Sequence, residues 1–233
     1  MRYLLFLYVL INILNLHSVA QAQKHFGKNM KIKLDQPSFQ DVDFKTLLDR
    51  RYSCRNFQNR SLKLKDVSSI LWATYGMKAD AVTHATRTVL SAGATYPLEL
   101  YLLVGPAGVD KLKGGLYHYI VEEHALKPIS EIDKRRQLAQ ACLGQSFIEE
   151  APVTLVIVAR FQRTTYRYGD RGRRYVYMEA GHAAQNAYLA ITSLGLATVE
   201  VGAFEDETVN RILDLQKDYV ALLVMPIGYP FQS

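Results

Sequence analysis

The sequence is poor in the residues that define small stapled folds and membrane proteins. Only two of its 233 residues are cysteines, too few for a disulfide-dense scaffold or a four-cysteine zinc site. Charged residues make up 21% of the chain and hydrophobic residues 49%, an ordinary balance that excludes a disordered or collagen-like chain. Beyond the amino terminus, the sequence lacks the long apolar runs of a polytopic membrane protein.

The charge surplus is also small. Lysine and arginine number 28 against 22 acidic residues, a formal net charge of +6. This surplus suits an anionic ligand at least as well as nucleic acid, which usually needs a concentrated basic face. Because the arginines cluster in short segments without a recognition motif, a nucleic-acid binder is disfavoured.

The amino terminus has the layout of an export signal. Arg2 precedes an apolar run over residues 3–16, and Ala20-Gln21-Ala22 supplies a small-x-small cleavage site. We therefore predict a signal peptide over residues 1–22 and a periplasmic or secreted protein. An uncleaved helix that anchors the chain to the membrane is the alternative.

The rest of the chain predicts one α+β domain over residues 43–233, after a loose leader over residues 23–42. Apolar periodicity and turn residues predict several elements. These are helices over 65–75, 130–149, 175–194 and 207–213, strands over 98–104, 153–159, 197–201 and 219–226, a hairpin-rich stretch over 116–129 and a loop over 161–174.

One segment concentrates hydrogen-bond donors at the end of a short predicted helix. Arg51, Ser53 and Arg55 stand two residues apart, with Tyr52 between the first two. Guanidinium forks pair with phosphate oxygens, and the serine adds a hydroxyl donor. A solvated basic helix end that satisfies its own carbonyls explains the segment equally well.

Two later segments combine small residues with a turn. Ser91, Ala92 and Ala94 lead into a predicted strand, and Gly202 and Ala203 lie between a strand and a helix. Small residues let a flat ligand lie against exposed backbone amides. Taken singly, small residues before a strand most often form just a turn, and the alternative for the second segment is an ordinary connection.

The order of these segments resembles the FMN-dependent nitroreductase family, and most closely its SagB-type branch of thiazole/oxazole-forming dehydrogenases. The resemblance covers about residues 43–230, and its joint order and spacing are more specific than any one motif. The matching motifs are Arg51-Tyr52-Ser53-Cys54-Arg55-Asn56-Phe57, Leu90-Ser91-Ala92-Gly93-Ala94, Tyr168-Gly169-Asp170-Arg171-Gly172-Arg173-Arg174-Tyr175, Glu179-Ala180-Gly181-His182, Gln185-Asn186, Gly202-Ala203-Phe204 and Pro226-Ile227-Gly228-Tyr229-Pro230.

The resemblance implies a central, mostly antiparallel sheet flanked by helices, with a long central helix at a homodimer interface. It also implies FMN as the cofactor. Arg51, Tyr52, Ser53 and Arg55 would hold FMN from one subunit, and Ser91, Ala92 and Ala94 would contact it from the other. The amides of Gly202 and Ala203 would lie near flavin N5.

The substrate pocket and the histidines are less specified by the sequence. Tyr96, Tyr166, Tyr168 and His84 are candidates to line a pocket over the flavin, with packing or solvation as their ordinary explanation. His182 is predicted to be a buried, hydrogen-bonded residue that can pair with Glu179 three positions earlier. No residue is predicted to be a metal ligand or a catalytic acid or base.

Cys54 and Cys142 are predicted to be unpaired. A disulfide is conceivable in an exported protein, but two widely spaced cysteines do not establish one.

The leading hypothesis is an FMN-dependent oxidoreductase that moves hydride or electrons through flavin N5 to or from a small organic substrate. NAD(P)H or another electron donor or acceptor would be the second partner. Many nitroreductases place a Lys/Arg pair on the flavin phosphate near the carboxyl end, where this chain has Phe231-Gln232-Ser233. The alternative is therefore an exported, non-catalytic binding protein on the same scaffold with a weakened FMN site.

Overall fold

The computed structural model describes residues 31–78 and 86–231 of the chain. The predicted signal peptide, the first part of the predicted leader and His84 lie outside the described residues. None of the helices in the described ranges combines the length and the apolar character that a membrane crossing requires.

Leucine and β-branched residues build the central strands of a sheet. The strands of the described residues are β1 (Ile32–Lys33), β2 (Leu98–Val104), β3 (Gly115–Ile120), β4 (Ala125–Ser130), β5 (Val153–Ala159), β6 (Ala197–Thr198) and β7 (Val220–Gly228). They form one seven-stranded sheet in the order β1-β4-β3-β2-β5-β7-β6, and every neighbouring pair is antiparallel.

Both faces of this sheet are covered. Every residue of β5 is buried, and successive side chains of a strand point to opposite faces. Leu155 and Ile157 enter one apolar cluster, whereas Val156 and Val158 enter another. The predicted α+β architecture with a central antiparallel sheet is thereby confirmed.

Helices cover the sheet on both sides. The described helices are α1 (Phe44–Arg50), α2 (Leu64–Tyr75), α3 (Arg135–Ala141), α4 (Phe147–Glu150), α5 (Gln162–Tyr168), α6 (Arg171–Ser193) and α7 (Asp206–Ile212). The helices α2 and α6 pack on the first cluster, and α3, α4 and α7 pack on the second.

The long helix α6 organises one half of the molecule. Its 23 residues extend about 34 Å at 1.5 Å per residue. A stripe of mainly small side chains is buried along it, comprising Val176, Ala180, Ala183, Ala187 and Ile191. The predicted long helix is confirmed, and its place at a dimer interface stays a prediction.

Three local predictions differ from the structure. Residues 161–174 are not a loop: α5 occupies half of them, Gly169 with φ 54° ends it, and α6 begins at Arg171. The stretch 130–149 is not one helix, because Leu143 and Gly144 both adopt positive φ and separate α3 from α4. The predicted leader contains the edge strand β1, which pairs with β4.

Candidate functional site

The end of α1 places the first donor segment against the sheet. Asp43 caps this helix by accepting a hydrogen bond from the Thr46 amide at 2.9 Å. The chain then leaves the helix at Arg51, and Ser53 forms a parallel bridge with Thr198. Because the Cys54 amide donates to the Thr198 carbonyl at 2.9 Å, this segment is fixed beside β6.

Tyr188 on α6 connects that segment with the chain that follows β6. The Arg51 guanidinium lies 5.4 Å from the centre of the Tyr188 ring, and the Ser53 and Tyr188 hydroxyl oxygens are 3.4 Å apart. The Glu200 amide donates to the same tyrosine oxygen at 2.9 Å. Sequence reasoning missed Tyr188, whose one distinguishing mark was a phenol at an otherwise apolar helix position.

Gly202 and Ala203 follow directly and present open backbone. Val201 exchanges two hydrogen bonds with Val224, both at 2.9 Å, and the Glu205 amide donates to the Ala141 carbonyl at 3.0 Å. Between these anchors, Gly202 and Ala203 are exposed residues, and their amides make no hydrogen bond to any described residue. A Cβ placed on Gly202 would meet nothing within 4 Å, so there is room for a side chain at this position.

Arg55 completes this side of the site. Its guanidinium lies 6.0 Å from the centre of the Phe147 ring, and the neighbouring Gln145 side chain donates to the Ala203 carbonyl at 3.5 Å. We call the group Arg51, Ser53, Arg55, Tyr188, Gly202 and Ala203 the Tyr188 cluster.

Two titratable groups adjoin this cluster. Burial raises the pKa of the Tyr52 phenol, and the nearby Cys54 thiol raises it further. Burial also raises the pKa of the Glu200 carboxyl. Both shifts favour the neutral forms of these groups.

The second segment predicted to contact the flavin lies within residues 91–96, which we call the Ser91 segment. It forms one tight turn in which Gly93, Ala94 and Tyr96 have positive φ values of 58°, 54° and 44°. The Ser91 hydroxyl closes the turn by accepting a hydrogen bond from the Tyr96 amide at 2.9 Å.

Helix α5 packs beside the Ser91 segment. A Cβ on Gly93 would lie 2.5 Å from the Tyr168 hydroxyl, and the hydroxyls of Thr95 and Thr164 are 2.8 Å apart. Tyr166, by contrast, is 96% exposed. The structure thus brings Tyr96 and Tyr168 to this segment, and the role of the three tyrosines in a pocket stays a prediction.

Glu179 lies beneath the Ser91 segment and differs from its predicted role. It is 2% exposed and accepts a 2.5 Å hydrogen bond from the Tyr75 hydroxyl, so its predicted pairing with His182 is wrong. His182 is exposed rather than buried, because it occupies the outward side of α6. Burial raises the pKa of Glu179 to about 7, although hydrogen bonds from Tyr75 and Ser91 and the charge of Arg87 act in the opposite direction.

The two groups lie on different sides of α6. The Ser91 segment meets Glu179, and the Tyr188 cluster meets a position nine residues later on the same helix. Nine residues correspond to a rise of about 14 Å and two and a half turns, so the two side chains point in opposite directions. One chain therefore assembles the Tyr188 cluster by itself and leaves the Ser91 segment apart from it.

The two cysteines are free, buried and located in separate apolar clusters. The prediction that they are unpaired is confirmed. Burial also raises the pKa of the Cys142 thiol to about 12. Histidine, cysteine and acidic side chains of the described ranges form no group of three that could hold a metal ion.

Comparisons with known proteins match this chain to one protein family. The sequence model of the nitroreductase family matches residues 48–229. A protein of Methanocaldococcus jannaschii assigned as a nitroreductase, MJ1384, is 45% identical over 203 residues, which are 87% of this chain and 98% of that protein. A crystal structure of a protein from Ralstonia eutropha JMP134, also assigned as a nitroreductase, superposes with a TM-score of 0.74 at 28% identity, over 87% of this chain and 90% of that one.

Two further relatives are matched over part of their length. The trifolitoxin-processing protein TfxB of Rhizobium leguminosarum bv. trifolii is 30% identical over 64% of this chain and 43% of that protein. The NADPH-flavin oxidoreductase of Vibrio harveyi is 28% identical over 45% of this chain and 47% of that protein. This chain thus spans less than half the length of each of these two relatives. The family match and these relatives confirm the resemblance inferred from the motifs.

Proposed function

This chain belongs to the nitroreductase family of oxidoreductases, and from that premise we propose that it binds FMN at the interface of a homodimer. The name of the Vibrio harveyi relative supports a flavin as the cofactor. The non-catalytic binding protein considered as an alternative gains no support from relatives that are oxidoreductases.

The Tyr188 cluster is the observation that carries this proposal. Its donor chemistry fits a flavin mononucleotide, because two guanidinium groups and a hydroxyl lie on the same side of the molecule as two unsatisfied amides. Arg51, Ser53 and Arg55 would meet the phosphate or the N1/O2 edge of the ring, since forked donors suit both acceptors. Gly202 and Ala203 would donate from the exposed connection between β6 and α7.

Bound FMN would supply hydride transfer at its N5 atom, in exchange with a small organic substrate. The arginines of the chain would favour the extra negative charge of the reduced ring, which develops near N1 and O2. The amides of Gly202 and Ala203 would fix the ring edge, and their rigid anchors at Val201 and Glu205 would keep them in place.

A second subunit would complete the site. Within one chain the Ser91 segment lies on the other side of α6 from the Tyr188 cluster, so Ser91, Ala92 and Ala94 reach a flavin held by that cluster only when they come from a partner. This separation supports a homodimer with two equivalent sites.

The substrate and the second electron partner follow from the same proposal. Tyr96, Tyr166 and Tyr168 would lie over the ring and contact a small organic molecule. NAD(P)H is one candidate donor. Export from the cytoplasm, where NAD(P)H is abundant, would instead favour oxidation of the substrate with another acceptor.

Titration of the FMN-free protein with FMN tests the proposal. The wild-type chain should bind FMN and quench its fluorescence at micromolar or lower concentration. Arg51→Ala should raise the Kd by about 10–150-fold, because loss of a charge-assisted hydrogen bond costs about 1.5–3 kcal/mol. Arg211→Ala on α7 removes an exposed arginine that is not a member of the cluster, and it should leave the Kd unchanged. Absence of FMN binding by the wild-type chain would refute the proposed function.

A further inference from the structure

Side chains of α5 hold carbonyl groups of the Ser91 segment. The Arg163 guanidinium donates one hydrogen bond to the Tyr96 carbonyl at 3.0 Å and a second to the Glu99 carboxylate at 2.6 Å. The Arg167 guanidinium donates to the Gly93 carbonyl at 3.4 Å. Because Arg163 uses the two arms of one planar fork, it fixes the end of the segment relative to the start of β2.

Two hydroxyl groups extend this contact into the interior of the molecule. The Thr95 hydroxyl donates to the Ala92 carbonyl at 2.9 Å, and the Thr164 hydroxyl oxygen lies 2.8 Å from that of Thr95. A hydroxyl has a single proton to donate, so Thr164 is the donor in this pair. Thr164 is fully buried on α5, and its hydroxyl therefore ties the helix to the turn of the segment.

The conformation held in this way is one that a polypeptide rarely adopts. Gly93, Ala94 and Tyr96 all have positive φ values, and residues with a side chain seldom occupy this region. Such a backbone persists only where its surroundings over-determine it. The Ser91 hydroxyl restrains the segment from within, and α5 restrains it from outside.

Two backbone donors of the segment have no partner in this conformation. The amides of Ala92 and Gly93 make no hydrogen bond to any described residue, whereas those of residues 94–96 are bonded inside the segment. Gly93 is exposed and Ala92 is half-buried. Successive N–H groups in a turn that includes a left-handed residue form a concave site for acceptor atoms.

We propose that α5 is the positioning element of the flavin site, in which Arg163 and Thr164 hold the Ser91 segment in the conformation that FMN binding needs. The inference rests on the proposed function, because that function assigns the segment its flavin contact. The bonds from α5 engage carbonyl groups of the segment, so the amides of Ala92 and Gly93 stay available to acceptor atoms of the cofactor. In this role, Arg163 and Thr164 act through the segment rather than by touching the cofactor.

Fluorescence titration with FMN compares Arg163→Met with a matched control, Arg160→Met. The first change removes both bonds of the fork and keeps a long side chain, whereas the second removes a neighbouring arginine whose ion-pair partner is Asp218. Apparent affinity falls with the fraction of the protein in the competent conformation, so Arg163→Met should raise the Kd about tenfold or more and Arg160→Met should leave it within about twofold. A wild-type Kd for Arg163→Met, or an equal loss in both variants, would overturn the proposal.

Thr164 offers a second pair of variants, which decides the proposal even if Arg163→Met does not fold. Thr164→Val keeps the shape of the side chain and lacks the hydroxyl, whereas Thr164→Ser keeps the hydroxyl and loses a methyl group. Thr164→Val should raise the Kd about fivefold, the usual effect of one neutral hydrogen bond, and Thr164→Ser should bind FMN as wild type does. If Thr164 only filled space in the core, serine would be the more damaging change, so equal Kd values or the opposite order would contradict the proposal.

Hydrogen exchange of the FMN-free protein separates this inference from the proposed function. The bonded amides of residues 94–96 should exchange faster in Arg163→Met and Thr164→Val than in wild type, because the segment opens more often. They should exchange at the wild-type rate in Arg160→Met and Thr164→Ser.

The two readouts together assign any failure. Faster exchange in these variants of a protein whose wild type binds no FMN would contradict the proposed function and leave the holding of the segment by α5 established. Wild-type exchange rates in both Arg163→Met and Thr164→Val, in a protein that binds FMN, would overturn the role of α5 and leave the proposed function intact.

Discussion

The burial of Glu179 predicts an unusual dependence of stability on pH. Its pKa rises from an ordinary 4.5 to about 7 in the folded protein. Between those values the folded state binds a proton that the unfolded state has lost, so the free energy of unfolding falls as the pH rises through this window. At 1.36 kcal/mol per pH unit, this group should remove about 3 kcal/mol between pH 4.5 and pH 7.

Chemical denaturation of wild type and Glu179→Gln at several pH values measures this contribution. The difference between the free energies of unfolding of the two proteins cancels the contributions of the histidines and the surface carboxylates, which both proteins share. The Gln variant should lose less stability over the window and should unfold at a higher denaturant concentration than wild type at pH 8. Parallel pH profiles for the two proteins would refute the assignment of a buried, proton-binding Glu179, and Glu207→Gln should follow the wild-type profile.

Three further predictions follow from the packing of single residues. Gly202→Val should change the free energy of unfolding by less than about 0.5 kcal/mol, since its side chain enters open space. The same variant should weaken FMN binding at least about tenfold, and unchanged affinity in the titration would contradict the proposed amide contact. Gly93→Ala should lower the Tm, because it combines a φ of 58° with a contact of 2.5 Å to the Tyr168 hydroxyl; Tyr168→Phe should recover part of the loss, and a wild-type Tm for the single variant would be inconsistent with this packing. Cys54 and Cys142 should react with a thiol reagent at least about tenfold more slowly in the native than in the denatured protein, and equal rates would show that they are accessible.

The architecture was predictable from the sequence where burial dominates. The apolar run of β5 and the small-residue period of α6 both correspond to observed elements, because a two-sided sheet and a core helix impose their periods on long stretches. The ends of the helices and strands were harder to predict from the sequence. Leu143 and Ala94 adopt positive φ without being glycine, and only tertiary contacts support such conformations.

The site was predictable as segments but not as an arrangement. Arg51 and Gly202 stand out by residue type, yet the link between them runs through Tyr188, whose partners come from both segments. Glu179 was associated with His182 because helical spacing allowed it. Its actual partner is Tyr75, which lies more than a hundred positions away in the sequence. Such a contact follows from tertiary packing rather than from a local sequence pattern.

In the proposed homodimer, each flavin site takes the Tyr188 cluster from one subunit and the Ser91 segment from the other. Mixed dimers test this sharing of sites, with Arg51→Ala in one tagged chain and Ala92→Glu in a partner chain that carries a different tag. If the sites are shared, one site of the mixed dimer is intact and the other carries both changes. We expect one tightly bound FMN per mixed dimer and little or none in either variant homodimer. A mixed dimer that binds no FMN, or a chain that forms no dimer, would contradict it.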